Sequence, residues 1–354
     1  MSKSKPPHFV TLGLFIIDEF SFADENGTPT GRVVAPEVSA IPDDFCLIGG
    51  GGTYAAVGAR IWLPSNQIGM VVDRGTDFPS SIQEKLDGYG PEMWIFRDQD
   101  HGTTRALNSY RGEHRSFEYL TPRIRITPND IQSTWAACPR TLHFICSPTR
   151  AAAIISEVHQ VEDWRPLVIY EPIPDRCIPA ELPALREVLP FVYVLSPNAE
   201  EALLLLGYAL PPTNVSIERA AAEFLSFGVG ESGQGVVIIR SGPLGCFALT
   251  RAHGGRWIEA YWSTEDSEKI VDVTGAGNSF LGGLAAGLYF TSDIYEASLY
   301  ATVSASFTIE QGGLPAITSK KEDVQEYLWN GELPELRLEN LRARMSRYQD
   351  RVSN

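Results

Sequence analysis

Residues 272–278 read Asp272-Val273-Thr274-Gly275-Ala276-Gly277-Asn278, and the apolar run Ser279-Phe280-Leu281-Gly282-Gly283-Leu284-Ala285-Ala286-Gly287-Leu288 follows at once. Three small residues ahead of a helix-like run make a place where backbone N–H groups point at an anion. Gly277 and its neighbours let a phosphate approach the backbone closely. The helix adds the positive end of its dipole. The stretch predicts an anion hole built from Gly275, Ala276 and Gly277 at the head of a buried helix, with Asn278 the first side chain beyond it.

A chain of 354 residues, 44% of them hydrophobic, can fill one large α/β domain or two smaller ones. The formal net charge of −15 argues against a general nucleic-acid or anionic-membrane surface. It leaves room for an anionic ligand, because a local hole needs only a few aligned dipoles. The five cysteines, Cys46, Cys138, Cys146, Cys177 and Cys246, lie far apart with no Cys-x-x-Cys pair. They indicate neither a disulfide framework nor a zinc site, and read as buried thiols of a cytoplasmic protein. The run Phe9–Ile17 is too short to span a bilayer, is stopped by Asp18 and Glu19, and has no signal-peptide cleavage site. Residues 1–8 read as a loose polar start.

Short β-rich runs alternate with helical ones. Val10–Ile17, Leu142–Cys146, Leu167–Tyr170, Phe191–Leu195 and Val236–Arg240 have the composition of buried parallel strands. Arg150–Gln160, Ala199–Leu206 and Ile217–Phe227 read as helices between them. The order implies an α/β fold with a doubly wound, mainly parallel sheet. Two stretches break the rhythm. Phe20–Phe45, rich in turn residues, and Trp94–Leu120, with Gly102 and Arg111-Gly112 as turns, suit a small separate sheet. After Gly331, Leu338, Leu341, Met345 and Tyr348 share one helical face ringed by Arg337, Arg342, Arg344, Arg347 and Arg351, so residues 331–354 read as an amphipathic helical extension.

Further landmarks stand at the ends of these strands. Ser196-Pro197-Asn198-Ala199-Glu200-Glu201 follows Phe191–Leu195, and Gly242-Pro243-Leu244-Gly245 follows Arg240. Gln311-Gly312-Gly313 follows the helical Ala297–Ile309. In the N-terminal half, Asp18 closes the first apolar run, Gly49-Gly50-Gly51-Gly52 precedes a helix, and Glu171-Pro172-Ile173-Pro174-Asp175-Arg176 follows a strand. A carboxylate at the C-terminal end of a strand is where open α/β sheets bind ligands. Asn198 also reads as a helix cap.

In this order the landmarks resemble the signature of the ribokinase-like (PfkB) sugar kinases over about residues 9–330. The resemblance implies ATP-dependent phosphoryl transfer to a hydroxyl of a sugar or related small molecule, with a small β lid from about 20–45 and 94–120 that often forms a homodimer contact. It implies that Asp18, Gly50, Gly51, Gly52 and Glu171 hold the acceptor. Asn198, Arg240, Gly242, Gly245, Gly312 and Gly313 would hold the nucleotide, Glu201 a Mg2+ ion through water, and Asp272 with Thr274 a monovalent cation such as K+. The chain departs from the family at telling positions. Asn278 stands where the family has its aspartate base, Ala56 and Ile173 where it has asparagines, and Arg240 where threonine is usual. An amide cannot accept the hydroxyl proton, a step typically worth ~10²–10⁴-fold. The resemblance therefore implies a slow kinase of a divergent, fungal-type subgroup, or a pseudo-enzyme that binds nucleotide or metabolite and acts through partners.

Gly50-Gly51-Gly52-Thr53-Tyr54-Ala55 also fits a dinucleotide fingerprint, with a strand-like Phe45–Ile48 before it and Asp73 about twenty residues on. That reading, an oxidoreductase, leaves the downstream landmarks without a role. No Gly-x-x-x-x-Gly-Lys-Ser/Thr loop and no Gly-x-Ser-x-Gly elbow occurs.

Overall fold

The computed structural model describes residues 6–23, 29–34, 48–111, 114–321 and 326–352. The first half contains β1 (Phe9–Thr11), β2 (Ile16–Ala23), β3 (Pro29–Val34), β4 (Ile48–Gly49), α1 (Gly51–Arg60), β5 (Ile68–Arg74), α2 (Ser80–Gly88), β6 (Trp94–Asp98), β7 (Arg105–Arg111), β8 (His114–Tyr119), α3 (Pro128–Gln132), β9 (Thr141–Cys146) and α4 (Pro148–Gln160). The second contains β10 (Leu167–Pro172), α5 (Leu182–Val188), β11 (Val194–Leu195), α6 (Ala199–Leu206), α7 (Asn214–Ser226), β12 (Val236–Arg240), β13 (Cys246–Thr250), β14 (Gly254–Ile258), α8 (Ala276–Thr291), α9 (Ile294–Ile309), β15 (Ile317–Lys321), β16 (Glu326–Trp329) and α10 (Pro334–Val352).

Among the described residues the larger sheet has nine strands in the order β14-β13-β12-β11-β10-β9-β1-β5-β6. The pairs from β12 to β6 are parallel, and β13 and β14 add an antiparallel edge. The central strands are apolar on both faces because helices cover both: Val236, Val237, Ile238 and Ile239 of β12 are all buried. One core joins the sheet to α1, α2, α8 and α9, and the other joins it to α4, α5, α6 and α7. Chain order runs outward in both directions from β1, so the crevice between the C-terminal ends of β1 and β9 is the topological switch point.

A second sheet has the order β3-β2-β7-β8, with β4 against β2. It corrects two expectations. Phe9–Ile17 is not one strand: β1 ends at Thr11, the chain crosses at Leu12–Phe15, and β2 begins the smaller sheet. The crossing is forced where Gly13 lies on Gly52, whose Cα would stand 2.6 Å from any Cβ at position 13. Asp18 therefore sits inside β2 and not at the end of the first main-sheet strand. The second correction concerns Trp94–Leu120. Its first part, β6, pairs in parallel with β5 at the edge of the larger sheet, and only β7 and β8 join the smaller one. Much of Phe20–Phe45, including its expected turns at Asn26-Gly27, Pro36 and Pro42, lies outside the described residues, as does Cys46.

Phe191–Leu195 also shortens. Leu189–Phe191 forms a 3-10 turn and only Val194–Leu195 pairs as a strand. The C-terminal helix α10 is packed on the body. Leu338 and Leu341 are buried, and Arg337, 3% exposed, donates to Glu310, Glu332 and Ser306 while its guanidinium lies 3.7 Å over the Phe307 ring. The side chains of Tyr348 and Arg351 lie outside the described ones. Cys146, Cys177 and Cys246 are buried and free, and burial pushes the thiols of Cys146 and Cys246 up to about 12.

α8 is buried on all sides from Ser279 to Leu288, so its apolar run has no polar face. It lies backbone to backbone on α1: a Cβ at Gly282 would come within 1.9 Å of the Ala55 carbonyl oxygen, and one at Gly58 within 2.2 Å of that of Ser279. Replacing Gly282 by leucine is expected to destabilise the fold by about 3 kcal/mol, the upper end of the usual overpacking range. Chemical denaturation measures it, and a variant as stable as the parent would mean that the two helices can part without cost.

Candidate functional site

The C-terminal ends of β9, β10 and β12 and the head of α8 converge on one cluster of polar side chains. Glu171, on β10, is its hub. Asn278 Nδ2 donates to Glu171 Oε2 at 2.8 Å, and Arg240 Nη2 pairs with Glu171 Oε1 at 2.7 Å. His143, on β9, is wholly buried and brings Nε2 to 3.7 Å from Glu171 Oε2, beyond hydrogen-bond length. Its Nδ1 lies 2.9 Å from Thr11 Oγ1, the residue beside it on β1. Arg240 Nη2 also donates to the Ser196 carbonyl at 3.0 Å and stands 3.7 Å from Glu201 Oε2. Asn198 bridges to Arg240 across the strand ends.

Gly275, Ala276 and Gly277 stand at the head of α8. Gly275 is the N-cap of α8 in the left-handed region, with φ 76°, where a side chain would be strained and would strike the Tyr54 ring. The Ala276 N–H is used by the Val273 carbonyl. The first turn of α8 has no side-chain cap and no acidic residue. The N–H groups of Gly277 and Asn278 fall among those a helix cannot satisfy internally. Above Gly277 lies Arg240: a Cβ at 277 would stand 2.1 Å from Arg240 Nη1.

Two carboxylates a few ångströms from one guanidinium take opposite pKa directions. Burial alone would raise Glu171, but Arg240, then His143, then the hydrogen bond from Asn278 outweigh it and hold Glu171 below its ordinary value. Burial dominates at Glu201 and, with Glu171's negative charge nearby, pushes it up to about 7 although Arg240 opposes the shift.

Asn198 and Glu201 also cap α6 reciprocally. Glu201 N donates to Asn198 Oδ1 at 2.8 Å and Asn198 N to Glu201 Oε2 at 2.7 Å, a capping box. The helix-cap reading of Asn198 is thus the one seen in the structure.

Asp18, expected on the acceptor side, lies over Gly49, where a Cβ would stand 1.8 Å from its Oδ2. Gly50 has φ 91° and precedes α1, and Gly51 lies against Asn278, whose Nδ2 is 3.0 Å from the place of a Cβ. Gly51 therefore ties the glycine run to Asn278. Ala56 is buried inside α1, and Ile173 is half-buried just past β10. Gly242 and Gly245, both with positive φ, shape the turn after β12, and Ser241 N donates across it to the Gly245 carbonyl. Gly312 and Gly313 follow the C-terminal end of α9. Val271 N and Asp272 N both donate to the Ile309 carbonyl, so the loop before α8 is held beside them. Thr274 N donates to Asp272 Oδ1, and Thr274 Oγ1 is buried without a hydrogen-bond partner.

The dinucleotide reading is overturned. β4, ahead of the glycines, is two residues long and antiparallel to β2 in the smaller sheet, so the glycine run follows no main-sheet strand. Asp73 is held by both arms of Arg97 and by Gln99. His143 and Thr11 escaped the sequence reading. The one available signal was a lone histidine in the apolar strand Thr141–Cys146, which the spacing of histidines does not reveal.

Free backbone N–H groups at the glycine-lined head of α8, beside carboxylates at the C-terminal strand ends of a doubly wound sheet, stand where α/β proteins bind anionic ligands. The description "pfkB family carbohydrate kinase" matches residues 147–321. An uncharacterised protein of Schizosaccharomyces pombe is 34% identical over 347 residues, covering 93% of this chain and 91% of its own. Protein MAK32 of Saccharomyces cerevisiae is 31% identical over 342 residues, covering 91% and 88%. Among solved structures, Arabidopsis thaliana ribokinase complexed with ribose and ATP has a TM-score of 0.61 at 18% identity, covering 87% of this chain and 94% of its own. The chain belongs to the PfkB family of carbohydrate kinases and has the ribokinase-like fold. Among the described residues no helix is long and apolar enough to cross a membrane.

Because Glu201 is raised above its unfolded value, the native state holds a proton that the unfolded chain has lost, and stability falls as pH rises from the ordinary carboxylate range to about 7. Glu201→Gln keeps an oxygen for the Asn198 N–H but removes this titration. Its stability relative to the parent is expected to increase by on the order of 2 kcal/mol between acid and mildly alkaline pH. Urea denaturation across that range checks the sign, and a constant difference would refute it.

Proposed function

We propose that this chain is a PfkB-type phosphotransferase of the cytoplasm, which binds ATP and passes its terminal phosphoryl group to a hydroxyl of a sugar or related small molecule, slowly. The observation that carries this reading is the bond between Asn278 and Glu171 at the uncapped head of α8. It puts an amide, bonded to a carboxylate, where the resemblance puts the base. The nucleotide would lie along Asn198, Arg240, Gly242–Gly245 and Gly312–Gly313, with its transferring phosphoryl group on Gly275–Gly277. Asp18 and Gly50–Gly52 would hold the acceptor against Asn278. A monovalent cation suits Asp272 and the unpartnered Thr274 hydroxyl. The smaller sheet is the proposed lid and homodimer contact.

In this arrangement the chain's own groups position the reactants and stabilise charge, which is most of what phosphoryl transfer needs. Asn278 can accept a hydrogen bond from the acceptor hydroxyl through Oδ1 while Nδ2 stays on Glu171. It orients the hydroxyl without removing its proton. Both oxygens of Glu171 are occupied, one by Arg240 and one by Asn278, so Glu171 is a poor replacement base. The same occupancy favours a second reading, a nucleotide- or metabolite-binding protein without turnover.

Asn278→Asp tests the first reading. It puts a second carboxylate about 2.8 Å from Glu171, and two such groups share a proton near neutrality. The base is restored only as that proton leaves, so the variant's initial rate of ATP-to-acceptor transfer is expected to rise with pH from neutral to mildly alkaline. There it should exceed the parent's by about tenfold or more. A parent already fast, and slowed by aspartate at every pH, would overturn the proposed role of Asn278. Turnover by neither protein with any acceptor would favour the second reading.

A further inference from the structure

The residues expected to hold a divalent metal do not fit one. Asn198 and Glu201 use their side-chain oxygens to cap each other's backbone, and Glu201 faces a guanidinium 3.7 Å away. Among the described residues there is no group of three or more His, Cys, Asp or Glu side chains that could hold a metal ion. The positive charge in this crevice is already part of the chain.

We infer that Arg240 is the built-in cation of the anion hole, and that the crevice binds a terminal phosphate of a polyphosphate or nucleotide without a divalent metal. The inference rests on reading the crevice as a phosphate site. Arg240 keeps donors for such a ligand. Nη2 is engaged by Glu171 and Ser196, whereas Nη1 lies directly over the Gly277 backbone and Nε is buried with no hydrogen-bond partner. A phosphate oxygen reaching the free N–H groups at the head of α8 would meet Nη1 over Gly277. Glu171 and the Ser196 carbonyl fix the guanidinium in that pose through Nη2. On the same side of the cluster, His143 Nε2 is wholly buried without a hydrogen-bond partner and points at Glu171. Residue 278 is neutral, so it adds no negative charge at the mouth of the hole. An anion therefore meets one fixed cation and a helix terminus, with Glu171 already balanced by Arg240.

Calorimetric titration of the full chain with ATP, and separately with tripolyphosphate, in EDTA and then in excess Mg2+, tests this. Both ligands are expected to bind in EDTA, with dissociation constants that change by less than about threefold when Mg2+ is added. Arg240→Lys keeps the charge but not the pose that Nη2 fixes on Glu171 and Ser196, and should weaken binding in EDTA by about tenfold. The triple change Glu171→Gln, Glu201→Gln and Arg240→Thr removes the guanidinium together with both carboxylates that face it and should weaken binding further. ATP binding that requires Mg2+ would overturn the inference and leave the kinase reading standing. Tripolyphosphate binding in EDTA without ATP binding would uphold the anion site and remove the nucleotide from the proposed function. Failure of both ligands under both conditions would overturn the two together. Unchanged or tighter binding in EDTA by the triple variant would show that Arg240 obstructs the hole and would also overturn the inference.

Discussion

The close contact of α1 with α8 is the constraint on which the site depends. Gly282 on the Ala55 carbonyl and Gly58 on the Ser279 carbonyl bring two helix backbones together with no side chain between them. That contact fixes the head of α8 relative to the glycine run at the head of α1. Asn278 and Gly51, distant in sequence, then become neighbours, and Asn278 reaches Glu171 across the end of β10. A bulkier seam would move the anion hole away from the strand ends that supply its charges.

Those charges are arranged as one balanced group. A buried carboxylate without a partner is expensive, and removing one member of a buried pair typically costs about 3–5 kcal/mol. Here Glu171 shares itself between Arg240 and Asn278, and Glu201 lowers its own cost by holding a proton near neutrality. Asn278 is thus more than a missing base. As a donor it completes the coordination of Glu171, and an aspartate there would compete for Arg240.

Much of the fold was legible because local chemistry and tertiary packing agree. Asn198 announces α6 by capping, and Val236–Arg240 has the unbroken apolar face of a strand covered on both sides. The misreadings occurred where one local pattern fits two tertiary fates. Phe9–Ile17 is apolar throughout, so nothing local marks the crossing at Gly13, which is set by Gly52 far along the chain. Trp94–Asp98 alternates like a strand of the smaller sheet, but its neighbour is β5. At the candidate site, the glycines stand out in the sequence by their spacing, and Asn278 by the position that the family resemblance gives it. The pairing of Arg240 with Glu171 and the approach of His143 could not, because they arise only when β9, β10 and β12 are laid side by side.

The crossing at Leu12–Phe15 divides the polar residues of this crevice between two sheets. Asp18 rides on the smaller sheet, whereas Gly277, Asn278, Arg240 and Glu171 are anchored to the larger one and its helices. The two sides are joined by a short bridge that presses on α1 at Gly52 and by the pairing of β2 with β4. Under the proposed assignment of Asp18 to the acceptor, drift in the smaller sheet would change which small molecule is held while the charged side of the crevice stays as it is.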